Sequence, residues 1–170
     1  MTMRLCPTSK TNVIIGNFPL EPLSEIGLAD WHLSHMVYNR KKLYVFVHAL
    51  TGYSIMLYGL TKKDFKRIGE LFYEALKESL LSDYDGHESV SRFSSFHEEM
   101  SFHKLTDKKV LGTTTYLMRI LPSFLDLTSE NNLVQYRLSK KMNSMLIKHD
   151  YPKRLLASLL DELSQKGQIC

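Results

Sequence analysis

The run Leu43-Tyr-Val-Phe-Val-His48 is apolar at odd and even positions alike. A strand that shows only one face to a core alternates apolar and polar residues, so this segment must be covered on both sides. Its neighbours Trp31–Tyr38 and Tyr53–Tyr58 are rich in aromatic and β-branched residues. The tetrapeptides Asn39-Arg-Lys-Lys42 and Ala49-Leu-Thr-Gly52 that separate them have hairpin-loop length. Together they predict an antiparallel meander over residues 31–58 with Leu43–His48 as its central strand. With four-residue turns, Tyr38 faces Leu43 and His48 faces Tyr53. Leu33, His35, Phe46, His48, Tyr53 and Ile55 then share one face, with Trp31 at its end.

An amphipathic helix is expected over residues 61–84. Thr61 and Asp64 approximate a capping box, and Phe65, Ile68, Phe72, Ala75, Leu76 and Leu80 recur at helical spacing up to the stop at Asp85-Gly86. Residues 1–30 hold Pro7, Pro19, Pro22, Gly16 and Gly27, which suggests an extended N-terminal segment joined by turns. The remainder, 89–170, reads as mostly helical: a short helix in Ser89–Glu99, a short strand Met100–Leu105, and helices over Val110–Leu121, Asn132–Ile147 and Lys153–Gln165. The fold class is α+β, one domain with an antiparallel meander packed by three to five helices.

The 170 residues are 44% apolar and 24% charged, which excludes disordered and collagen-like chains and is enough to bury a core without disulfide or metal staples. Cys6 and Cys170 form no C-x-x-C, and this argues for a reducing, cytoplasmic compartment. The first residues lack the apolar stretch of a signal peptide. Leu43–Leu50 is far short of a membrane span, so a soluble chain with no membrane partner is expected.

No motif names a reaction. His97-Glu-Glu-Met-Ser-Phe-His103 puts its second histidine at i+6, off the face that a zinc helix needs at i+4, and no metal or cofactor is expected. Gly112-Thr-Thr-Thr115 lacks the lysine of a phosphate loop, and nothing in the sequence ties Cys6 to a histidine. His32 and His35 follow Asp30-Trp31. Histidines on a half-buried sheet are ordinarily satisfied structural groups; the functional alternatives are a proton shuttle, half of a metal site, or a platform on which a base stacks, and no third ligand is tied to them by spacing. Basic residues cluster at Arg40-Lys41-Lys42, at Lys62, Lys63, Lys66 and Arg67, at Lys104, Lys108 and Lys109, at Lys140-Lys141 and at Lys153-Arg154. With a net charge of +4 they invite contact with polyanions if several converge.

Several ordered pieces resemble a family of small prokaryotic domains of unknown function. They are Ala29-Asp-Trp-His32, Asn39-Arg-Lys41 before Leu43–Val47, Gly59-Leu-Thr-Lys-Lys-Asp-Phe65, Thr106-Asp-Lys-Lys-Val-Leu-Gly112, and Leu138 to Asn143 followed by Tyr151-Pro152. The resemblance implies an α+β domain in a prokaryotic or phage-associated setting and nominates Asp30, Trp31, His32, Arg40, Lys41, Lys108 and Gly112. It assigns no catalytic residue. Lys109 stands where the family pattern has a hydroxyl, which removes any role needing that serine.

The leading expectation is a binding module for nucleic acid or a protein partner. Arg40, Lys41, Lys42, Lys108 and Lys109 would hold phosphates, and Trp31 and His32 would form a stacking edge. The rival is a metal-independent hydrolase or nuclease using His32 or His35 as base with Arg40 or Lys108 stabilising an anion. A ligand-free oligomerisation partner is the third reading. The first two require the basic hairpin and the Lys108-Lys109 turn to lie side by side next to Trp31.

Overall fold

The computed structural model describes residues 2–84, 89–95, 100–147 and 149–167. In chain order they form β1 (Met3–Pro7), α1 (Ser9–Ile15), β2 (Glu21–Pro22), β3 (Asp30–Tyr38), β4 (Lys41–His48), β5 (Ser54–Tyr58), α2 (Ile68–Asp83), α3 (Ser89–Ser95), β6 (Met100–Lys104), α4 (Lys108–Ile120), α5 (Tyr136–Asn143) and α6 (Pro152–Gly167). Short 3-10 turns at Asp64–Arg67 and Leu121–Leu127 precede α2 and follow α4. The class is α+β. Six α-helices appear among the described residues, against the three to five expected, because short helices such as α1 carry little periodic signal.

The six strands form one sheet in the order β2-β6-β1-β3-β4-β5. The meander β3-β4-β5 is antiparallel as the sequence indicates, but β1 pairs in parallel with both β3 and β6, and β2 with β6, so the whole sheet is mixed. Parallel neighbours need long crossovers, so their pairing leaves no turn signal between adjacent segments. Leu43 lies opposite Tyr58, and Phe46 opposite Ile55, as four-residue closure of the second loop requires. The first loop is tighter: Tyr38 faces Lys41, not Leu43, across Asn39 and Arg40 at φ 45° and 65°. Two consecutive positive φ values are the signature of a two-residue type I′ turn, whose twist matches the strands. Shifting by two residues preserves the faces, so the predicted set stays together.

Both faces of the central strand are covered. On one, Trp31, Leu33, Tyr44, Phe46 and Ile55 pack with Phe72 and Leu76 of α2, Phe93 of α3 and Leu160 of α6. On the other, Leu43, Val45 and Val47 meet Leu117 of α4 and Leu138 and Met142 of α5. Asp64 anchors the approach to α2: its Oδ2 accepts from the backbone N–H and hydroxyl of Thr61 at 2.6 and 2.7 Å. The stop at Asp85-Gly86 and the piece His97–Glu99 lie outside the described residues.

Two further expectations need correction. Residues 1–30 are not simply extended, because Thr8 caps α1, its Oγ1 accepting from Thr11 N. The helix expected over Asn132–Ile147 shrinks to the eight residues of α5. The residues before it run along β5 instead: Tyr58 N–H donates to Leu133 O and Gln135 N–H to Met56 O, which covers an otherwise open sheet edge. Among the described residues no helix is long and apolar enough to cross a membrane.

Candidate functional site

Strands β1 and β6 are neighbours, yet the helices that follow them leave to opposite faces. Ile15 of α1 joins the α2 side of the sheet, whereas Val110 and Leu117 of α4 pack on the other. Such a divergence opens a crevice beyond the carboxyl ends of the strands, the usual ligand position in sheets of this kind. Here it encloses a cavity of about 430 Å³ walled by Pro7, Thr8 and Ser9 at the end of β1, Lys104 and Leu105 at the end of β6, His32, Leu20 and Leu111.

His32 enters from β3. Because side chains alternate along a strand, it faces α4 while Trp31 and Leu33 face α2. Its Nδ1 lies 2.8 Å from Thr114 Oγ1, and that hydroxyl donates to Val110 O at 3.3 Å. With the hydroxyl proton directed at Val110 O, Nδ1–H is the donor and Nε2 carries the lone pair. Among the described residues Nε2 has no hydrogen-bond partner. His32 is 4% exposed, and burial pushes its pKa down to about 4, so the ring is neutral at pH 7. Lys104 stands exposed at the rim and forms no ion pair among the described residues.

His35 lies on the opposite face from His32. Its Nδ1 is 2.8 Å from Thr11 Oγ1, which in turn lies 2.7 Å from Thr8 Oγ1. Burial and then the nearby Lys42 and Lys10 lower its pKa. His48 shares the face of His35 but is fully engaged. Its Nε2–H donates to Leu28 O at 3.0 Å, so Nδ1 accepts from the Thr51 hydroxyl at 2.8 Å. Asp30 is structural too: Arg4 grips it through Nε and Nη2, each at 2.6 Å, tying β1 to β3, and Gly27 N–H donates to it. Cys6, buried beneath Leu105 and Val110, has its thiol pushed up to about 12 by burial and is no nucleophile. Among the described residues no group of three His, Cys, Asp or Glu could hold a metal ion.

The basic turns do not converge. Arg40 and Lys41 sit at one end of β4, where Lys41 Nζ lies 5.7 Å over the Tyr58 ring and Asn39 donates to Glu130. Lys108 and Lys109 begin α4, whose Thr113 backs onto Gly52 beyond the other end of β4. The eight residues of β4 at roughly 3.3 Å each hold those ends about 25 Å apart. Trp31 cannot stack a base, because it is 0% exposed and enclosed by Phe72 and His48. Tyr44 and Phe46 are buried likewise. Gly112 lies on the outer side of α4, away from His32. Of the anticipated residues only His32 lines the crevice, and Lys108 and Lys109 lie beyond its rim on α4.

Residues 4–155 match the family described as a domain of unknown function, DUF6933. The chain belongs to that family. No curated protein matches it. The DUF6933 match spans every wall of the crevice and stops before most of α6. Thr8, Ser9 and Thr114 are the residues of this site that the sequence did not single out, and Lys104 stood there only as part of a basic cluster. Only the Thr8–Thr11 spacing, a helix-start pattern after Pro7, carried a local signal.

Proposed function

We propose that this DUF6933 chain is a binding module whose ligand is a small organic anion with an apolar body, seated in the crevice between β1 and β6. One observation carries the reading: a cavity of ligand size at the divergence of two parallel strands holds a neutral imidazole with an open Nε2 beside the unpaired Lys104. Lys104 would meet the anionic group, Nε2 would accept a hydrogen bond from a ligand hydroxyl or amide, and Leu20, Leu105 and Leu111 would contact the apolar part. A nucleic acid enters this reading only through an end group such as a nucleotide phosphate, because the crevice has room for one small ligand and Trp31, Tyr44 and Phe46 are buried and cannot stack bases. The hydrolase alternative has less support: a histidine with a pKa of about 4 is a weak base at neutral pH, and Arg40 stands far from it. A cytoplasmic setting belongs to the same reading, supported by the free, buried Cys6.

Thermal shift and calorimetric titration with hexanoate, benzoate, AMP and inorganic phosphate test the proposal. An anion with an apolar body is expected to raise Tm, Lys104→Ala to remove the response, and His32→Asn to weaken it about tenfold for a ligand bearing a donor. Asn keeps a donor toward Thr114 while deleting Nε2. Silence from the whole panel, or an undiminished response in Lys104→Ala, overturns it.

A further inference from the structure

Away from the crevice, α4 turns a second face outward. Gly112, Thr115, Tyr116 and Arg119 recur there at helical spacing and, with Leu146 from the segment after α5, wall a groove of about 600 Å³. Lys108 lies one turn before Gly112 on the same face, exposed and without an ion pair among the described residues. Arg119 has no carboxylate partner among them either; its guanidinium rests over the Tyr116 ring, 5.4 Å from the centroid. The helix carries Lys108, Lys109 and Arg119 and no acidic residue. Asp107, just before it, is committed as the cap and accepts from Lys109 N and Val110 N.

Between the two cations the groove changes character. Gly112 is exposed in the body of the helix, where glycine is a poor helix former, and it leaves the floor as bare backbone. Leu146, on the facing wall, is 53% exposed. Thr115 directs its hydroxyl proton to Leu111 O at 2.8 Å, so its oxygen is left as an acceptor. Lys108 and Arg119 are eleven positions apart, about 16 Å along the helix axis. An extended chain covers that distance in about five residues, and its alternate side chains point the same way.

The geometry points to a docking surface for an extended acidic peptide segment of a protein partner, with carboxylates at its first and fifth positions and a large apolar residue at its third. The carboxylates meet Lys108 and Arg119, and the central side chain lies over Gly112 between Tyr116 and Leu146. A backbone N–H between them donates to Thr115. Charge complementarity selects the partner: the groove has a cation at each end and no acid along its length. A single nucleic-acid strand suits it less, because a phosphate at every nucleotide would set the central charges against Leu146 and bare backbone. The Tyr116 face that Arg119 covers is also closed to a stacking base.

NMR titration of the full chain with the pentapeptide Glu-Ser-Phe-Ser-Glu, capped at both ends, tests the proposal. The comparison probes are Glu-Ser-Ser-Ser-Glu, Lys-Ser-Phe-Ser-Lys and a thymidine pentanucleotide. The first peptide is expected to bind about fivefold more tightly than its serine-centred form and at least tenfold more tightly than the lysine peptide. Its shift perturbations are expected at Gly112, Tyr116 and Leu146. Lys108→Gln and Arg119→Gln are each expected to weaken it about threefold. Arg40→Gln, which removes the same charge at the hairpin tip, is expected to leave it unchanged. Gly112→Leu is expected to raise Tm, because leucine is the better helix former, and yet to weaken the peptide at least tenfold by filling the floor. These opposite signs separate a docking role from a structural one. No saturable response below about 1 mM, equal binding of either control peptide, tighter binding of the pentanucleotide, an undiminished Gly112→Leu, or perturbations centred on Thr8 and His32 overturns the proposal.

Discussion

The antiparallel half of the sheet, β3-β4-β5, and the parallel half, β2-β6-β1-β3, share one strand and little else. The first is closed by two short turns and covered on both faces. Even its buried histidine, His48, has both ring nitrogens matched. The second is assembled from segments far apart in the chain, Met3 lying beside Met100, and its strand ends open into a cavity where His32 keeps an unmatched nitrogen. Locally encoded structure here supplies the packed core. Structure that depends on remote pairing supplies the opening in which a ligand can sit.

The sharpest way to break this comparison is to remove the indole at the heart of the antiparallel half. Trp31→Ala is expected to cost about 3–5 kcal/mol in urea unfolding, since a fully buried ring leaves a cavity that its neighbours only partly fill. A loss below about 1 kcal/mol would mean that the core does not rest on this half.

Acid probes both buried histidines, and substitution separates them. Burial holds both His32 and His48 near pKa 4, against about 6.5 in the unfolded chain. The unfolded state therefore takes up protons that the native state refuses. Stability is greatest above pH 6.5, falls as pH drops from about 6.5 to 4, and changes no further through these groups below that. His32→Asn should remove on the order of 1–3 kcal/mol of the acid-induced loss, measured as the difference between urea midpoints at pH 7.5 and 4.5. His48 and, to a smaller extent, His35 contribute to the remainder. An unaltered pH dependence in His32→Asn would show that the crevice does not enforce a neutral imidazole.

The smallest effect is expected at the hairpin tip. Arg40 holds a left-handed φ of 65°, where glycine is at ease. Arg40→Gly should therefore stabilise the chain by about 0.5–1 kcal/mol and leave hexanoate binding unchanged. Destabilisation would reveal a structural role for the guanidinium that its exposure does not suggest.

Much of the antiparallel half was legible because its signals are local. Apolar residues on both faces of Leu43–His48 announce a covered central strand, and hairpin-length loops announce its neighbours. The first turn was read two residues too long, since Asn39-Arg40 lacks the glycine that usually marks a type I′ turn. The site was barely legible. His32 stood out, but its partner Thr114 comes 82 positions later, inside a Gly-Thr-Thr-Thr run that reads as ordinary helix surface. Lys104 looked like one more basic residue in a cluster. The stacking role given to Trp31 fails because residue type says nothing about which side of a sheet is roofed over.

By itself the sequence determined the α+β class, the covered central strand and its two antiparallel neighbours, and the amphipathic helix that roofs one face. Period and turn chemistry act over a few residues and need no knowledge of the rest of the chain. Only the tertiary structure decided that β1 and β6 lie side by side, that their helices part to opposite faces, and that the basic hairpin points away from Lys108 and Lys109. Parallel pairing and helix placement depend on contacts between segments far apart in the chain, and no local pattern encodes the partner.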